Sequence, residues 1–390
     1  MQRTERHIFK GNEYKELAIK AKELYNQTLY YLRQMLFGEI VWCSEYELTG
    51  LFAEFNEPTY RNVSAQTAQQ IIKLTFRDWK SWLKALKEYK IYPNKFQGRP
   101  QIPKYKKELS VIIFTSQQVK LNNGYIIFPK KTGFEPIKTK VDNICQVRII
   151  PRSNHFVVEI VYNKPDIKLL KDNGRYLGID IGLNNLATCV SNVVNAFIIN
   201  GRPLKSINQY FNKHKAIAMS YVGGRGISNR TKRLTFKRNN KVSDYLHKTS
   251  RMIINKCLES NINTIIIGKN KSWKQNINIG KRNNQNFVSV PLSILTEQIK
   301  YKAEELGINV KLPEESYTSK CSALDLETLK KHVSYVGSRI KRGLFKAANG
   351  LLLNADVNGG LNIIRKEVGD VFLDQSIRGF ALNPIKINIS

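Results

Sequence analysis

Acidic residues are scarce in this chain. Among 390 residues there are 31 Asp and Glu against 63 Lys and Arg, a formal charge of +32. So large an excess of one sign calls for a polyanionic partner, and nucleic acid is the usual one. A merely soluble basic protein is the plainer alternative. Cysteine is scarce too. The five (Cys43, Cys145, Cys189, Cys257 and Cys321) are odd in number, and no two stand in a Cys-x-x-Cys pair. That argues against a disulfide framework and a four-cysteine zinc ribbon, and it fits a reducing compartment, the cytoplasm. No apolar run approaches the ~20 residues of a spanning helix, so no membrane partner is expected. The opening MQRTERHIFKGNEYKEL is charged throughout and has no signal-peptide core. What the chain does have is 42% hydrophobic and 10% aromatic residues, enough to bury a sizeable core, which a disordered basic tail lacks. Its length suggests two or three domains.

There is no internal repeat and no low-complexity block. From about Glu13 to Tyr92 the pattern is helical. Ile71, Ile72, Phe76, Trp79, Trp82 and Leu83 recur at three- and four-residue steps. Gln66, Gln70 and Lys73 share another face at i, i+4, i+7. Such a face is often only solvated; its functional reading is a surface laid against a nucleic-acid groove. Pro93, Gly98, Pro100 and Pro103 then punctuate the chain. From Ser110 to Tyr162 short β-type runs follow (SVIIF, GYIIF, CQVRII, HFVVEIVY), separated by turn residues in the manner of a small antiparallel barrel or sheet. A linker is expected from Lys164 to Gly174.

Beyond it, RYLGIDIG (175–182), NLATCVSN (185–192) and AFIING (196–201) read as three meandering strands. Two helical stretches follow, then the strand NTIIIG (263–268), a helix near Leu292–Leu306, and the strand NVKLPEE (309–315). Three meandering strands and then strand–helix–strand is the plan of an RNase H-like α/β sheet. Between the two helical stretches, Arg225 to Lys241 holds seven basic residues of seventeen and no acid. A solvated loop is one reading; a phosphate-contacting element is the better one.

Three carboxylates stand where chemistry could use them. Asp180 closes the first strand of this third region, where α/β sheets keep their sites, although an Asx-turn residue would look the same. Asp356, in LLLNADVNGGLNII, precedes a helical run and could be a plain N-cap. Glu314 and Glu315 end NVKLPEE, and only one of two adjacent acids can point to a given face. Taken together they offer phosphodiester hydrolysis, which needs an activated water and neutralised charge on attacking and leaving oxygens. Two Mg²⁺ ions roughly 3.5–4 Å apart supply both, and clustered carboxylates hold them.

The segments GIDIGLNNLAT, DYLHKTSRMI, KRNNQNFVSVPLSIL, QIKYKAEELGI, EESYTSKCS and NADVNGGLNII occur in that order. Together they resemble the transposon-encoded TnpB/OrfB family, RNA-guided nucleases related to type V CRISPR effectors. The resemblance covers roughly residues 174–370 and is less specific before them. It implies an α/β chain with all-β and α-helical modules. Residues 1–12 and 93–170 would form a β-barrel wedge domain and 13–92 an inserted helical recognition bundle. Residues 174–315 and 350–372 would form the RuvC-like (RNase H-like) nuclease domain, 316–349 a target-nucleic-acid-binding insertion, and 373–390 a C-terminal tail. The implied activity is Mg²⁺-dependent DNA cleavage beside a short transposon-adjacent motif, with Mn²⁺ able to substitute. The implied partners are a guide RNA and target double-stranded DNA, bound by a monomer in a cytoplasmic, nucleoid-associated setting.

Position by position, Asp180 matches the family's first acid and Asp356 the third. The second departs. The family has an acid just after the fourth strand, where this chain reads IIIGKNKSWKQ, with Lys269 and Asn270. A charged lysine cannot ligate Mg²⁺. Glu315, three residues before Thr318, resembles the relocated glutamate of the Fanzor relatives and is preferred to Glu314 on that ground. A long side chain at the end of a neighbouring strand can reach the same ions. The alternative is a nuclease-dead, RNA-guided repressor; a guide-free basic protein is a third reading. No zinc is expected, because the insertion offers only Cys321 and His332. Nucleic-acid contacts are assigned to Gln66, Gln70, Lys73, Arg225, Arg230, Lys232, Arg233, Lys237, Arg238, Arg339, Lys341 and Arg342. His247 and the tryptophans Trp79, Trp82 and Trp273 are read as packing residues.

Overall fold

Residues 2–9, QRTERHIF, alternate between exposed and half-buried positions and form the first strand. In the computed structural model, which describes residues 1–224, 227–269, 280, 285, 289–370 and 375–389, the chain divides into two units, Met1–Pro165 and Asp166–Ser390.

The first unit contains strands β1 (Gln2–Phe9), β2 (Ile112–Thr115), β3 (Lys120–Asn122), β4 (Tyr125–Ile127), β5 (Ile137–Lys138), β6 (Gln146–Pro151) and β7 (Phe156–Asn163). They make two sheets, β1-β7-β6-β2 and β3-β4-β5. Every pair in them is antiparallel. β1 pairs with β7 along its whole length, from Gln2 opposite Asn163 to Phe9 opposite Phe156. The β3–β4 turn carries Asn123 and Gly124 at φ 47° and 74°, the left-handed pair that a two-residue hairpin requires.

Helices α1 (Asn12–Phe37), α2 (Glu45–Glu54), α3 (Pro58–Arg61) and α4 (Ala65–Ile91) lie between β1 and β2 in sequence. Gly38, at φ 79°, ends α1 in a left-handed cap. Ser44 and Glu47 open α2 with a reciprocal capping box. α4 buries Thr67, Ala68, Ile71, Ile72, Thr75, Phe76 and Trp79 on one face. Leu24, Leu29 and Leu32 of α1 join the same core.

The second unit is a mixed α/β structure. Its strands are β8 (Tyr176–Ile181), β9 (Asn185–Ser191), β10 (Phe197–Asn200), β11 (Thr264–Ile267), β12 (Asn309–Lys311), β13 (Ser338–Lys341), β14 (Leu344–Lys346), β15 (Leu352–Asn354) and β16 (Ile385–Ile387). The main sheet runs β12-β11-β8-β9-β10-β16, and β13-β14-β15 form a separate three-stranded sheet. β8, β9 and β10 are antiparallel, whereas β11, β12 and β16 join by parallel pairing. The helices are α5 (Arg202–Ser220), α6 (Asn229–Glu259), α7 (Leu292–Glu304), α8 (Ala355–Val368) and α9 (Gln375–Leu382). α8 lies close on the sheet: a Cβ added at Gly178 of β8 would meet the Gly360 carbonyl at 2.6 Å.

Three expectations change here. The strand foreseen over 309–315 stops at Lys311, because Pro313 has no N–H to donate to a ladder. Pairing resumes in a single parallel bridge between Lys269 and Glu314. The basic run foreseen between helices is mostly helix, since α6 begins at Asn229 with Ser228 as its cap. The segment foreseen as a tail contributes α9 and the edge strand β16, which pairs with β10. Among the described residues no helix is long and apolar enough to cross a membrane.

Candidate active site

Asp180, the penultimate residue of β8, lies next to the point where β8 and β11 separate: Ile179 stands opposite Ile267. Its side chain is partly open to solvent, yet the protein packed round the carboxyl raises its pKa to about 8. Burial is the larger cause, and the Asp356 and Glu315 carboxylates add to it, while the Arg339 guanidinium opposes them. Three acids from three separate segments are therefore near enough for Asp180 to feel both others. Glu315 has its pKa raised to about 7 by burial, against which the Lys366 ammonium acts. Glu314 is exposed, and only Glu315 of the adjacent pair acts on Asp180.

Two glycines make room for these carboxylates. A Cβ at Gly359, in α8, would stand 2.8 Å from Asp180 Oδ2. One at Gly268, the residue after β11, would stand 2.7 Å from Glu315 Cδ and nearer still to its Oε1 and Cγ. Glu315 thus lies over the end of β11, the strand after which the family's usual acid stands. Lys269, next along, is exposed.

Asp356 sits in the first turn of α8, behind the Asn354 cap, whose side chain accepts from the backbone N–H of Asp356 at 2.9 Å. Asn185, at the start of β9, donates to Asp356 Oδ2 at 2.7 Å. Arg339 of β13 lies 3.7 Å from Asp356 Oδ1. Sequence reasoning missed Asn185, Gly268, Gly359 and Lys366. The only available signal was their place within the motif segments.

The donor set is oxygen only, which suits a hard cation such as Mg²⁺. The glycine cradles leave space where a Cβ would intrude. Among the described residues, however, no group of three or more His, Cys, Asp or Glu stands gathered closely enough to hold an ion. Asp356 is engaged by Asn185 and Arg339.

The residues assigned to nucleic acid fall into several groups. Gln66 is occupied within its own unit: it donates to Gln117 Oε1 at 2.9 Å and accepts from Thr115 Oγ1 at 3.0 Å. Gln70 and Lys73 line a groove formed by α4, β2 and β6. Lys73, Arg77, Lys80 and Lys84 follow one another at steps of four, three and four along that groove. They form one cationic stripe on the helix, about 16 Å long at 1.5 Å per residue. Arg148 of β6 adds a fifth cation and Glu45 a single acid. The stripe beyond Lys73 went unnoticed in the sequence.

In the second unit, Arg230, Arg233 and Lys237 are exposed on α6, and Lys232 is half-buried. Arg238 is committed internally, to Asn208, Asn239 and the Ser289 carbonyl. Arg225 lies outside the described residues, as do Asn270 and Trp273. Lys341 and Arg342 are exposed on the β13–β14 hairpin, whereas Arg339 faces Asp356. Cys321 donates through its thiol to the carbonyls of Thr328 and Lys330, and the His332 ring bonds Thr328 O at 2.7 Å.

Residues 159–274 match the family profile OrfB_IS605, described as a probable transposase, and residues 293–363 match the TNB domain of Cas12f1-like proteins. The TnpB-like protein ORF457 of Acidianus two-tailed virus is 24% identical over 412 residues, covering 93% of this chain and 85% of that protein. Among solved structures, a Cas12f1–sgRNA–target DNA complex aligns at 17% identity and a TM-score of 0.40, covering 93% of this chain and 98% of that one. A CRISPR-Cas12f ternary complex aligns at 16% and 0.38, covering 90% and 80%. Over most of its length the chain is thus similar to a TnpB-like protein.

Proposed function

We propose that the protein is an RNA-guided DNA endonuclease of a transposon, with Asp180, Glu315 and Asp356 as its catalytic, Mg²⁺-holding residues. What supports this reading is that Asp180, at the end of β8, has the charges of Asp356 and Glu315 acting on it, with Gly359 and Gly268 packed against the Asp180 and Glu315 carboxyls. Two bound Mg²⁺ ions (or Mn²⁺) would supply an activated water and neutralise the charge that develops at phosphorus and on the leaving oxygen. The chain's own residues orient the acids. Asn185 fixes one oxygen of Asp356 by donating to it, and Gly268 and Gly359 let Glu315 and Asp180 lie flat against backbone. In the hydrolysis, water oxygen bonds to phosphorus as the P–O3′ bond breaks. The 3′ oxygen takes a proton, so the products carry 5′-phosphate and 3′-hydroxyl ends.

In this reading the second unit is an RuvC-like, RNase H-like nuclease with residues 316–349 as a target-binding insertion. The first unit's sheets are the wedge and its helices the recognition bundle. The α4 stripe supplies phosphate contacts for guide RNA or target DNA, and base pairing supplies most of the sequence recognition. No zinc is invoked, and a monomer with its RNA suffices.

The test is cutting of a target plasmid by the chain with its co-purified guide RNA and Mg²⁺. Asp180→Ala should abolish cutting, and EDTA should stop the wild type. Undiminished cutting by Asp180→Ala would remove the site assignment. Two observations favour a nuclease-dead repressor instead: exposed Lys269 follows β11, and Arg339 lies beside Asp356 where a cation would bind. Guide-dependent target binding by the wild type, with no cutting at any Mg²⁺ concentration, would select that reading.

A further inference from the structure

The segment that carries Glu315 has little regular structure of its own. After the bridge at Glu314 it turns through Tyr317, at φ 65°, a left-handed backbone that a bulky L-residue adopts only when its surroundings hold it there. The carbonyls of Glu315 and Tyr317 are met within the segment, by Thr318, Lys320 and Cys321, and one helix supplies donors to those of Glu314, Ser316, Thr318 and Cys321. Asn358, Asn362, Arg365 and Lys366 fall at i, i+4, i+7 and i+8 on α8, along one side of the helix.

Asn358 donates to Cys321 O at 2.8 Å and accepts from the N–H of Ala323 at 2.9 Å. Asn362 donates to Thr318 O at 2.9 Å and Cys321 O at 2.7 Å. Arg365 braces Asn362 Oδ1 at 2.8 Å. Lys366 closes the ladder on either side of Glu315: its ammonium donates to Glu314 O at 2.8 Å, Ser316 O at 2.9 Å and Ser316 Oγ at 2.7 Å. Both asparagines are fully buried, where an amide persists only if its partners are met. The same helix carries Asp356 in its first turn.

We propose that α8 is the positioning element for two members of the acidic triad at once, holding Asp356 directly and Glu315 through the Asn358–Asn362–Lys366 ladder. The inference rests on the nuclease reading above. It explains how a glutamate on an irregular segment can stand in for one at a strand end: the segment takes its geometry from the helix that bears the partner acid. Lys366 is then a positioning residue rather than a counter-charge, and the two roles differ in sign. Removing a cation beside an acidic site tightens cation binding by Coulomb's law. Loosening a ligand weakens it.

The experiment is Mn²⁺ titration of the full chain, followed by the electron paramagnetic resonance of free Mn²⁺, with thermal unfolding as the control for folding. Lys366→Met should weaken Mn²⁺ binding about tenfold, the lower end of what losing a hydrogen bond that orients a metal ligand costs. Lys366→Arg should restore it to within about threefold. In a Glu315→Gln background, Lys366→Met should change nothing further, because the effect runs through Glu315. Unchanged or tighter binding by Lys366→Met, while Glu315→Gln binds weakly, would overturn the positioning role and leave the site reading intact. Wild-type binding by Glu315→Gln would instead overturn the site reading, and the ladder's role with it. Should Lys366→Met lose thermal stability, Ser316→Ala, which removes one acceptor alone, should show a smaller weakening in the same direction; none at all would also count against the proposal.

Discussion

Replacing Gly268 by alanine should disable the proposed nuclease while leaving the fold intact. The Cβ would stand 2.7 Å from Glu315 Cδ and closer to Oε1 and Cγ, whereas ordinary contact begins at 3.4 Å. The carboxylate must therefore retreat by about 1 Å. Displacements of that size in a positioned group cost on the order of 100-fold in rate. The fold should lose little. Gly268 has no positive φ, so alanine fits its backbone, and the atoms in the way belong to the far end of a flexible side chain. A change in unfolding free energy within about 1 kcal/mol is expected. The assay is single-turnover plasmid cutting with guide RNA at saturating Mg²⁺, beside urea unfolding of the same preparations. Adding Glu315→Asp, which shortens the acid by one methylene, should recover part of the lost rate in the Gly268→Ala chain and lower the rate in the wild-type chain. Cutting by Gly268→Ala at the wild-type rate would refute the claim that this glycine sets the position of Glu315.

Substituting Arg77 and Lys80 together by alanine should weaken nucleic-acid binding across sequences and lower the slope of log affinity against log salt by about 2, as read from binding at several salt concentrations. Lys302, buried on α7, donates to His247 O and Ser250 Oγ, and burial lowers its pKa to about 8 from 10.5. Between those values the unfolded chain binds the extra proton, so stability should rise with pH from about 8 to 10.5 relative to Lys302→Met; denaturant midpoints for both proteins at several pH values check the sign. Trp79 is almost fully buried against Trp82, their rings 4.9 Å apart, and Trp79→Ala should cost about 3–5 kcal/mol in urea unfolding.

How much of this was legible in the sequence depended on whether the signal was local. The apolar runs around Ile179, Ala187 and Ile199 announce their strands, because a sheet buried on both faces leaves few alternatives. The Ile71–Phe76–Trp79 spacing likewise marks the buried face of α4. β1 has no comparable signature. Arg3, Glu5 and His7 are its half-buried side and only Ile8 and Phe9 are apolar, so periodicity passes over it and the resemblance alone put it with the later strands. β16 is three residues long and owes its existence to β10, about 190 positions earlier. At the site, acidic residue types point to Asp180, Asp356 and the Glu314–Glu315 pair. Nothing local says that Gln66 would be tied to Thr115 and Gln117, that Arg238 would be spent on Asn208, or that Arg339 would turn toward Asp356. Those outcomes follow from which distant backbone or side chain lies alongside, and spacing carries no record of that.

The full-length pairing of β1 with β7 has a consequence for how the polypeptide is made. The partner of residues 2–9 leaves the ribosome about 150 residues later. At ordinary elongation rates of 5–20 residues per second, that is a wait of roughly 8–30 s. A hydrophobic β-strand left single for so long would invite adhesion to any passing edge. Arg3, Glu5 and Arg6, which conceal this strand from a pattern search, are the same groups that keep it hydrated until its mate arrives.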